Sequence, residues 1–180
     1  MERQYEQRND SGRFDSRNGF PYSGGRSGTL VHTTSGTSSL DWLLSGSTAT
    51  GNPASADYLI NRDGTRHKIT PKGIVPYHAG ISVAYINGRR FVDNNVSAIL
   101  VGVELEQVAE QQVTYEQYDS LAELLTLLSV EFGWRWPYTI FGHYEVARPV
   151  GRRSDPCNFA WGDFMGRLYI RSKDAQIPGL

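Results

Sequence analysis

The chain has 180 residues, 39% of them hydrophobic and 21% charged, enough for one well-buried domain and too few for two. A formal charge of −1 excludes a basic nucleic-acid footprint over the whole chain, and no apolar run approaches the ~20 residues of a membrane span. One cysteine, Cys157, excludes an internal disulfide and a multi-cysteine zinc site, so any metal would rest on histidines and carboxylates.

Residues 1–28 are rich in Arg, Asp, Glu, Ser and Gly, with little apolar material beyond Phe14, Phe20 and Tyr22. That composition predicts a flexible arm, unless its aromatic rings dock on the domain. Its first ten residues lack the apolar core and cleavage site of a secretory signal, so synthesis in the cytoplasm is expected. The folded domain is expected over residues 29–172, with a C-terminal tail at 173–180. No internal repeat is visible.

Residues 29–33 form a β-prone run that ends in His32 and Thr33. Ser38 or Ser39 could cap a short helix through Asp41, Leu43 and Leu44, followed by a Gly- and Ser-rich loop over 46–55. Residues 58–61 and 66–70 read as a hairpin closed by Arg62-Asp63-Gly64-Thr65. Residues 98–106 are almost continuously apolar, as a strand buried on both faces would be. Thr114 and Gln117 have the spacing of a capping box. Tyr118, Leu121, Leu125, Leu128 and Phe132 then recur at helical spacing up to Gly133. A short strand over 137–141 and an amphipathic helix over 159–170 complete the pattern. Alternating strands and helices with one hairpin predict an α/β fold, a mixed central β-sheet flanked by helices.

Four histidines are present, and His32 and His143 both fall at the ends of predicted strands. Asp155 follows in an Arg-Arg-Ser-Asp-Pro turn. Two imidazoles and one carboxylate suit Zn²⁺ with its fourth position left for water, whose pKa the metal lowers toward about 7. Spacing alone favours the plainer reading of hydrogen-bonded strand-end histidines and a turn-forming aspartate. Glu104 ends the most apolar strand, where desolvation would raise its pKa and suit it to acid/base work. A simple pairing with an arginine at the strand mouth is the alternative.

Several segments occur together in a fixed order. They are Val31-His32-Thr33, residues 55–64, Tyr77-His78-Ala79-Gly80, residues 101–106 and the helix start at 114–117. Phe141-Gly142-His143, Arg153-Ser154-Asp155-Pro156 and Phe159-Ala160-Trp161 follow. This order resembles the zinc-dependent N-acetylmuramoyl-L-alanine amidases of the type-2 amidase and peptidoglycan-recognition-protein superfamily. The superfamily includes phage endolysins and cytoplasmic enzymes of cell-wall recycling.

The resemblance implies one Zn²⁺ held by His32, His143 and Asp155, with Cys157 as the alternative third ligand. It implies Glu104 as the catalytic carboxylate, with Tyr58 and Arg153 assisting, and Tyr77 and His78 lining the substrate groove. Peptidoglycan or muropeptides are the implied partners, without nucleic acid or membrane insertion, and a monomer is expected. The implied activity is hydrolysis of the bond between N-acetylmuramic acid and L-alanine. A bacteriolytic phage enzyme is favoured, because a recycling enzyme does not require the charged arm. A recycling amidase and a non-catalytic peptidoglycan-binding module are the alternatives. Three positions depart from the family pattern: Tyr77 stands for a usual Trp, Asp57 for a common His, and Arg153 for a usual Lys. Arginine holds its charge at any working pH, so it can steady an oxyanion but cannot shuttle a proton.

Overall fold

The structure is a computed structural model that describes residues 4–36, 39–108 and 111–180. In chain order the strands are β1 (Gln7–Asn9), β2 (Gly19–Pro21), β3 (Gly28–Thr33), β4 (Tyr58–Ile60) and β5 (Arg66–Lys68). They continue with β6 (Ile74–Pro76), β7 (Val83–Ile86), β8 (Arg89–Val92), β9 (Leu100–Leu105) and β10 (Ile140–Gly142). The helices are α1 (Ser39–Asp41), α2 (Ser47–Ala49), α3 (Asn94–Ile99), α4 (Tyr115–Phe132), α5 (His143–Val146) and α6 (Trp161–Asp174). A wide π-type turn, Trp42–Gly46, joins α1 to α2.

Among the described residues the main sheet has six strands in the order β1-β5-β4-β9-β3-β10. β4 and β5 are antiparallel and the other neighbours run parallel, as the α/β reading with one hairpin requires. Alternation along β9 divides its side chains. Val101, Val103 and Leu105 join the core beneath α4 and α6, with Leu121, Leu125, Phe164 and Leu168. Leu100 faces the other way, into a core with Leu30, Ala84, Val96 and Val146. Leu59 on β4 shares that second face and meets Leu43 and Leu44 from the segment around the π-type turn. No helix among the described residues is long and apolar enough to cross a membrane.

Helix α4 is bounded as its sequence dictates. Thr114 Oγ1 accepts from Gln117 N, while Gln117 Oε1 accepts from Thr114 N, both at 3.1 Å. Gly133 ends the helix in the left-handed region at φ 67°. Gln117 also donates to the carbonyls of Ile60 and Glu106, so the cap ties the helix to the ends of β4 and β9.

Elsewhere the structure departs from the sequence reading. Ser39 donates its hydroxyl to the carbonyl of Gly36 at 2.7 Å and so does not cap the helix that follows; Ser38 lies outside the described residues. The helical segment continues to Ala49, into the stretch expected as loop. Residues 81–95 hold the β7–β8 hairpin and the start of α3.

The largest departure is the N-terminal segment. Its described residues are built into the fold rather than free. β1 pairs in parallel with the edge strand β5, and β2 pairs antiparallel with β6. Asp10 holds His67 Nδ1 at 2.7 Å. Arg26 meets Asp57 at 2.7 Å, with both side chains 8% exposed. Asp57 also accepts from Gly102 N and from Thr70, so this carboxylate, where the family commonly has His, fastens the arm to β9. Asp10, Asn18 and Arg26, polar residues that made the arm look solvated, find buried partners, whereas Arg8, Arg13 and Arg17 pair at the surface.

Asn18 is fully buried and does the most varied work. Its Nδ2 donates to the carbonyls of Leu43 and Leu44, and its Oδ1 lies 2.6 Å from the Thr48 hydroxyl. Its own carbonyl accepts from Tyr77 N. Asn18→Ala would leave several of these groups unpaired in the interior. The expected result is a loss of about 2 kcal/mol in urea unfolding, seen as a lower midpoint with an unchanged slope.

Candidate metal centre and groove

Strand register brings the chemistry together. His32 on β3 is the cross-strand partner of Glu104 on β9, and Glu104 is the partner of Leu59 on β4, so all three point to the same face. β10 runs beside β3 and delivers His143 immediately after Gly142, at the start of α5. The loop after α5 returns with Asp155, whose carbonyl accepts from Tyr144 N.

His32 Nδ1 and His143 Nδ1 lie 3.0 Å apart, and Asp155 Oδ2 lies 3.2 and 3.0 Å from them. The surrounding hydrogen bonds set the tautomers. His143 Nε2 faces the Ala79 carbonyl at 3.1 Å, which can only accept, so Nε2 carries the hydrogen and Nδ1 keeps a lone pair. His78 Nε2 likewise faces the carbonyls of Ser97 and Leu100, at 3.3 and 3.2 Å. His78 Nδ1 is therefore an acceptor. His32 Nε2, 3.3 Å from it, supplies the hydrogen, which leaves His32 Nδ1 bare. Burial holds His32 neutral, its pKa pushed down to about 4, and holds His78 well below the usual histidine range. Two nitrogen lone pairs and a carboxylate oxygen thus converge at about hydrogen-bond distance, an arrangement that suits a bound cation. The donor set fits Zn²⁺, and these three residues would hold it. Among the described residues they form the group able to hold a metal ion; Cys157 is not part of it.

His78 is 8% exposed and rests on Gly102. A Cβ at position 102 would come within 2.6 Å of its ring, so the gap in the side-chain row of β9 makes room for it. His78 lines the cavity and also supports His32 from behind.

Glu104 lines the same cavity, about 630 Å³, together with His32, His143 and Asp155. Its Oε2 is enclosed without a hydrogen-bond partner among the described residues. Burial, then the nearby Asp155 charge, pushes its pKa up to about 8, while Arg153 pulls the other way. Arg153 is exposed and lines the cavity, as does Tyr77, whose ring lies 5.4 Å from Phe20.

Tyr58 is not at this site. Its register partner is Val103, so it points to the opposite face, where it is buried beneath α4. Desolvation raises its hydroxyl pKa far above the ordinary phenol value. The sequence pattern put Tyr58 beside the right strand, but the alternation of β4 turns it away. Sequence reasoning in turn missed Trp42, which lines the cavity while 44% exposed. An isolated indole in a Gly- and Ser-rich stretch was the available signal.

A mixed sheet with two imidazoles and a carboxylate at its mouth defines an α/β protein with a group able to hold a metal ion. The family model Amidase_2, N-acetylmuramoyl-L-alanine amidase, matches residues 25–158, and the chain belongs to that family. Among solved structures, an AmpD derivative is similar with a TM-score of 0.68 at 23% identity, covering 91% of this chain and 94% of that one. The Ph2119 endolysin from Thermus scotoductus MAT2119 bacteriophage Ph2119 has a TM-score of 0.61 at 13% identity, covering 91% and 99%. AmpDh3 from Pseudomonas aeruginosa, in complex with anhydromuramic pentapeptide, has a TM-score of 0.59 at 22% identity, covering 88% and 62%. These likenesses show the fold. A comparison with curated protein sequences finds no match.

The buried groups give the metal-free protein a characteristic pH profile. Glu104 holds its proton in the folded state up to about pH 8 but releases it near 4.5 when unfolded, so its contribution is lost as pH rises through 8. His32 and His78 act oppositely, because the unfolded chain takes up their protons below about pH 6.5. Between pH 6.5 and 8 the Glu104 effect is expected to dominate among these three, a fall of about 1–2 kcal/mol in unfolding free energy. Urea titrations of the metal-free chain check this, and Glu104→Gln should flatten the profile over that interval.

Proposed function

We propose that the protein is a zinc-dependent N-acetylmuramoyl-L-alanine amidase. Its substrate would be the amide between the lactyl group of N-acetylmuramic acid and L-alanine of the stem peptide. The observation that carries this reading is the convergence of His32 Nδ1, His143 Nδ1 and Asp155 Oδ2 beside Glu104, whose Oε2 is enclosed and unpartnered. Membership of the amidase family supports it. A superfamily member that only binds its ligand would not need the complete set.

Zn²⁺ held by His32, His143 and Asp155 would act as a Lewis acid on the amide carbonyl and make water a competent nucleophile near neutral pH. Glu104 takes a proton from the attacking water and passes one to the departing amine of L-alanine. Its position on the rigid central strand β9, in cross-strand register with His32, fixes it relative to the metal ligands. Arg153, with its permanent charge at the cavity wall, steadies the negative oxygen that develops on the carbonyl carbon. Tyr58 takes no part, being on the far side of the sheet. The tautomer of His32 is kept by His78.

Two settings fit this reading, a cell-wall lysis enzyme acting on intact peptidoglycan and a recycling enzyme acting on soluble muropeptides. The N-terminal segment no longer distinguishes a lysis enzyme from a recycling one, since its described residues belong to the fold. The substrate decides. Mass spectrometry of purified peptidoglycan digested by the protein should show free stem peptides beginning with L-alanine. Their release should stop with a chelator and return with zinc. A faster reaction on soluble anhydro-muropeptides than on intact wall would assign the enzyme to recycling. Intact glycan–peptide linkages throughout would remove the enzymatic reading.

Two variants test the roles. Glu104→Gln should abolish turnover while zinc stays bound, as measured by metal analysis of the purified protein. Arg153→Ala should lower kcat by about 10² if it serves the oxyanion, with Arg153→Lys retaining most activity.

A further inference from the structure

The cavity has two chemically different flanks. On one, the segment carrying Trp42 lies over β4, where Leu43 and Leu44 pack on Leu59. On the other, Arg152 donates to the carbonyls of Ala79 and Ile81, beyond β3, and Arg153 follows it. His32 and Glu104 stand between these flanks on β3 and β9. An amide placed at His32 and Glu104 must therefore send its acyl side toward one flank and its amine side toward the other.

The platform under Trp42 is anchored by hydrogen bonds from outside its own segment. The wide turn Trp42–Gly46 is tied to the rest of the fold through its carbonyls. Those of Leu43 and Leu44 are taken up from outside the segment. Asn18 Nδ2 donates to both, Ser55 Oγ donates to Leu43 O at 2.7 Å, and Asp15 N donates to Leu44 O at 2.8 Å. Asn18 also accepts from Tyr77 N, so one buried residue of the N-terminal segment positions both aromatic members of this wall. Single exposed apolar side chains are common on protein surfaces and need no explanation. Trp42 differs in lining the cavity itself, on a π-type turn held by buried polar partners.

We propose that Trp42, held by Asn18 and accompanied by Tyr77, forms a saccharide subsite that stacks on a sugar ring of the glycan, directing the stem peptide toward Arg152 and Arg153. This deepens the amidase reading and rests on it. The two halves of that substrate differ in the way the flanks do. The acyl half carries pyranose rings whose C–H faces suit an indole. The amine half carries a peptide with free carboxylates, which suit guanidinium groups.

Calorimetric titration of the zinc-loaded full chain tests the assignment with two probes. One is the N-acetylglucosaminyl-N-acetylmuramic acid disaccharide without a peptide, and the other is free L-alanyl-D-glutamate. Trp42→Ala should weaken disaccharide binding about tenfold, Trp42→Phe should recover most of it, and dipeptide affinity should stay put in both. Hydrolysis by Trp42→Ala should suffer mainly in KM. Disaccharide affinity unmoved by Trp42→Ala, a loss confined to the dipeptide, or no disaccharide binding by the wild-type chain would each overturn the subsite. If the wild-type chain binds the disaccharide through Trp42 yet releases no stem peptide, the subsite stands and the amidase reading falls. If it cleaves the wall with disaccharide binding indifferent to Trp42, the reverse holds.

Discussion

Everything at the candidate metal centre depends on a relay of acceptors behind it. The carbonyls of Ser97 and Leu100 fix the hydrogen on His78, His78 fixes the hydrogen on His32, and the carbonyl of Ala79 fixes the hydrogen on His143. The outcome is that the front nitrogens of both ligands are bare and aimed at each other and at Asp155. Backbone carbonyls cannot change protonation state, so the relay begins from groups that hold the same role at every pH. The relay has a steric condition as well. The ring of His78 can lie against β9 because residue 102 has no side chain, and the same strand, two residues on, presents Glu104. The support of His32 and the enclosed carboxylate of Glu104 therefore share one strand of the sheet.

Much of this was legible in the chain, and the reasons differ by element. Helix α4 could be read because its capping box, apolar repeat and terminal glycine all agree, and each is a local property. β9 could be read because a strand covered on both faces is apolar without alternation. The ligand histidines and Asp155 came from the order of motifs; their convergence is a matter of register between β3, β9 and β10, to which local propensity is blind. Tyr58 shows the same limit from the other side. A motif match fixes its position along β4, whereas one residue of register separates the groove face from the core beneath α4.

In the N-terminal segment Phe14 and Phe20 dock on the domain, the exception that the sequence reading allowed, and the polar residues hide their role for a different reason. Composition counts polar residues without asking where their partners are. Asp10, Asn18 and Arg26 look like solvent-facing residues until His67, the Leu43 and Leu44 carbonyls, and Asp57 are placed beside them. Each partner is at least 25 residues away in sequence, so no window along the chain contains both members of a pair. The missing apolar residues are replaced by hydrogen bonds into an interior that the rest of the chain has already built.

That arrangement bears on how the molecule can be shortened. The span that matches the family model, residues 25–158, looks like a natural unit for trimming or for grafting onto a wall-anchoring module. Cut there, the polypeptide would keep all three metal ligands and Glu104, yet lose β1, Asn18 and the whole of α6. The edge of β5 would lie bare, and the wall that carries Trp42 would lose its backing. The sequence-defined unit and the mechanical unit are different objects, and engineering of this protein has to respect the second.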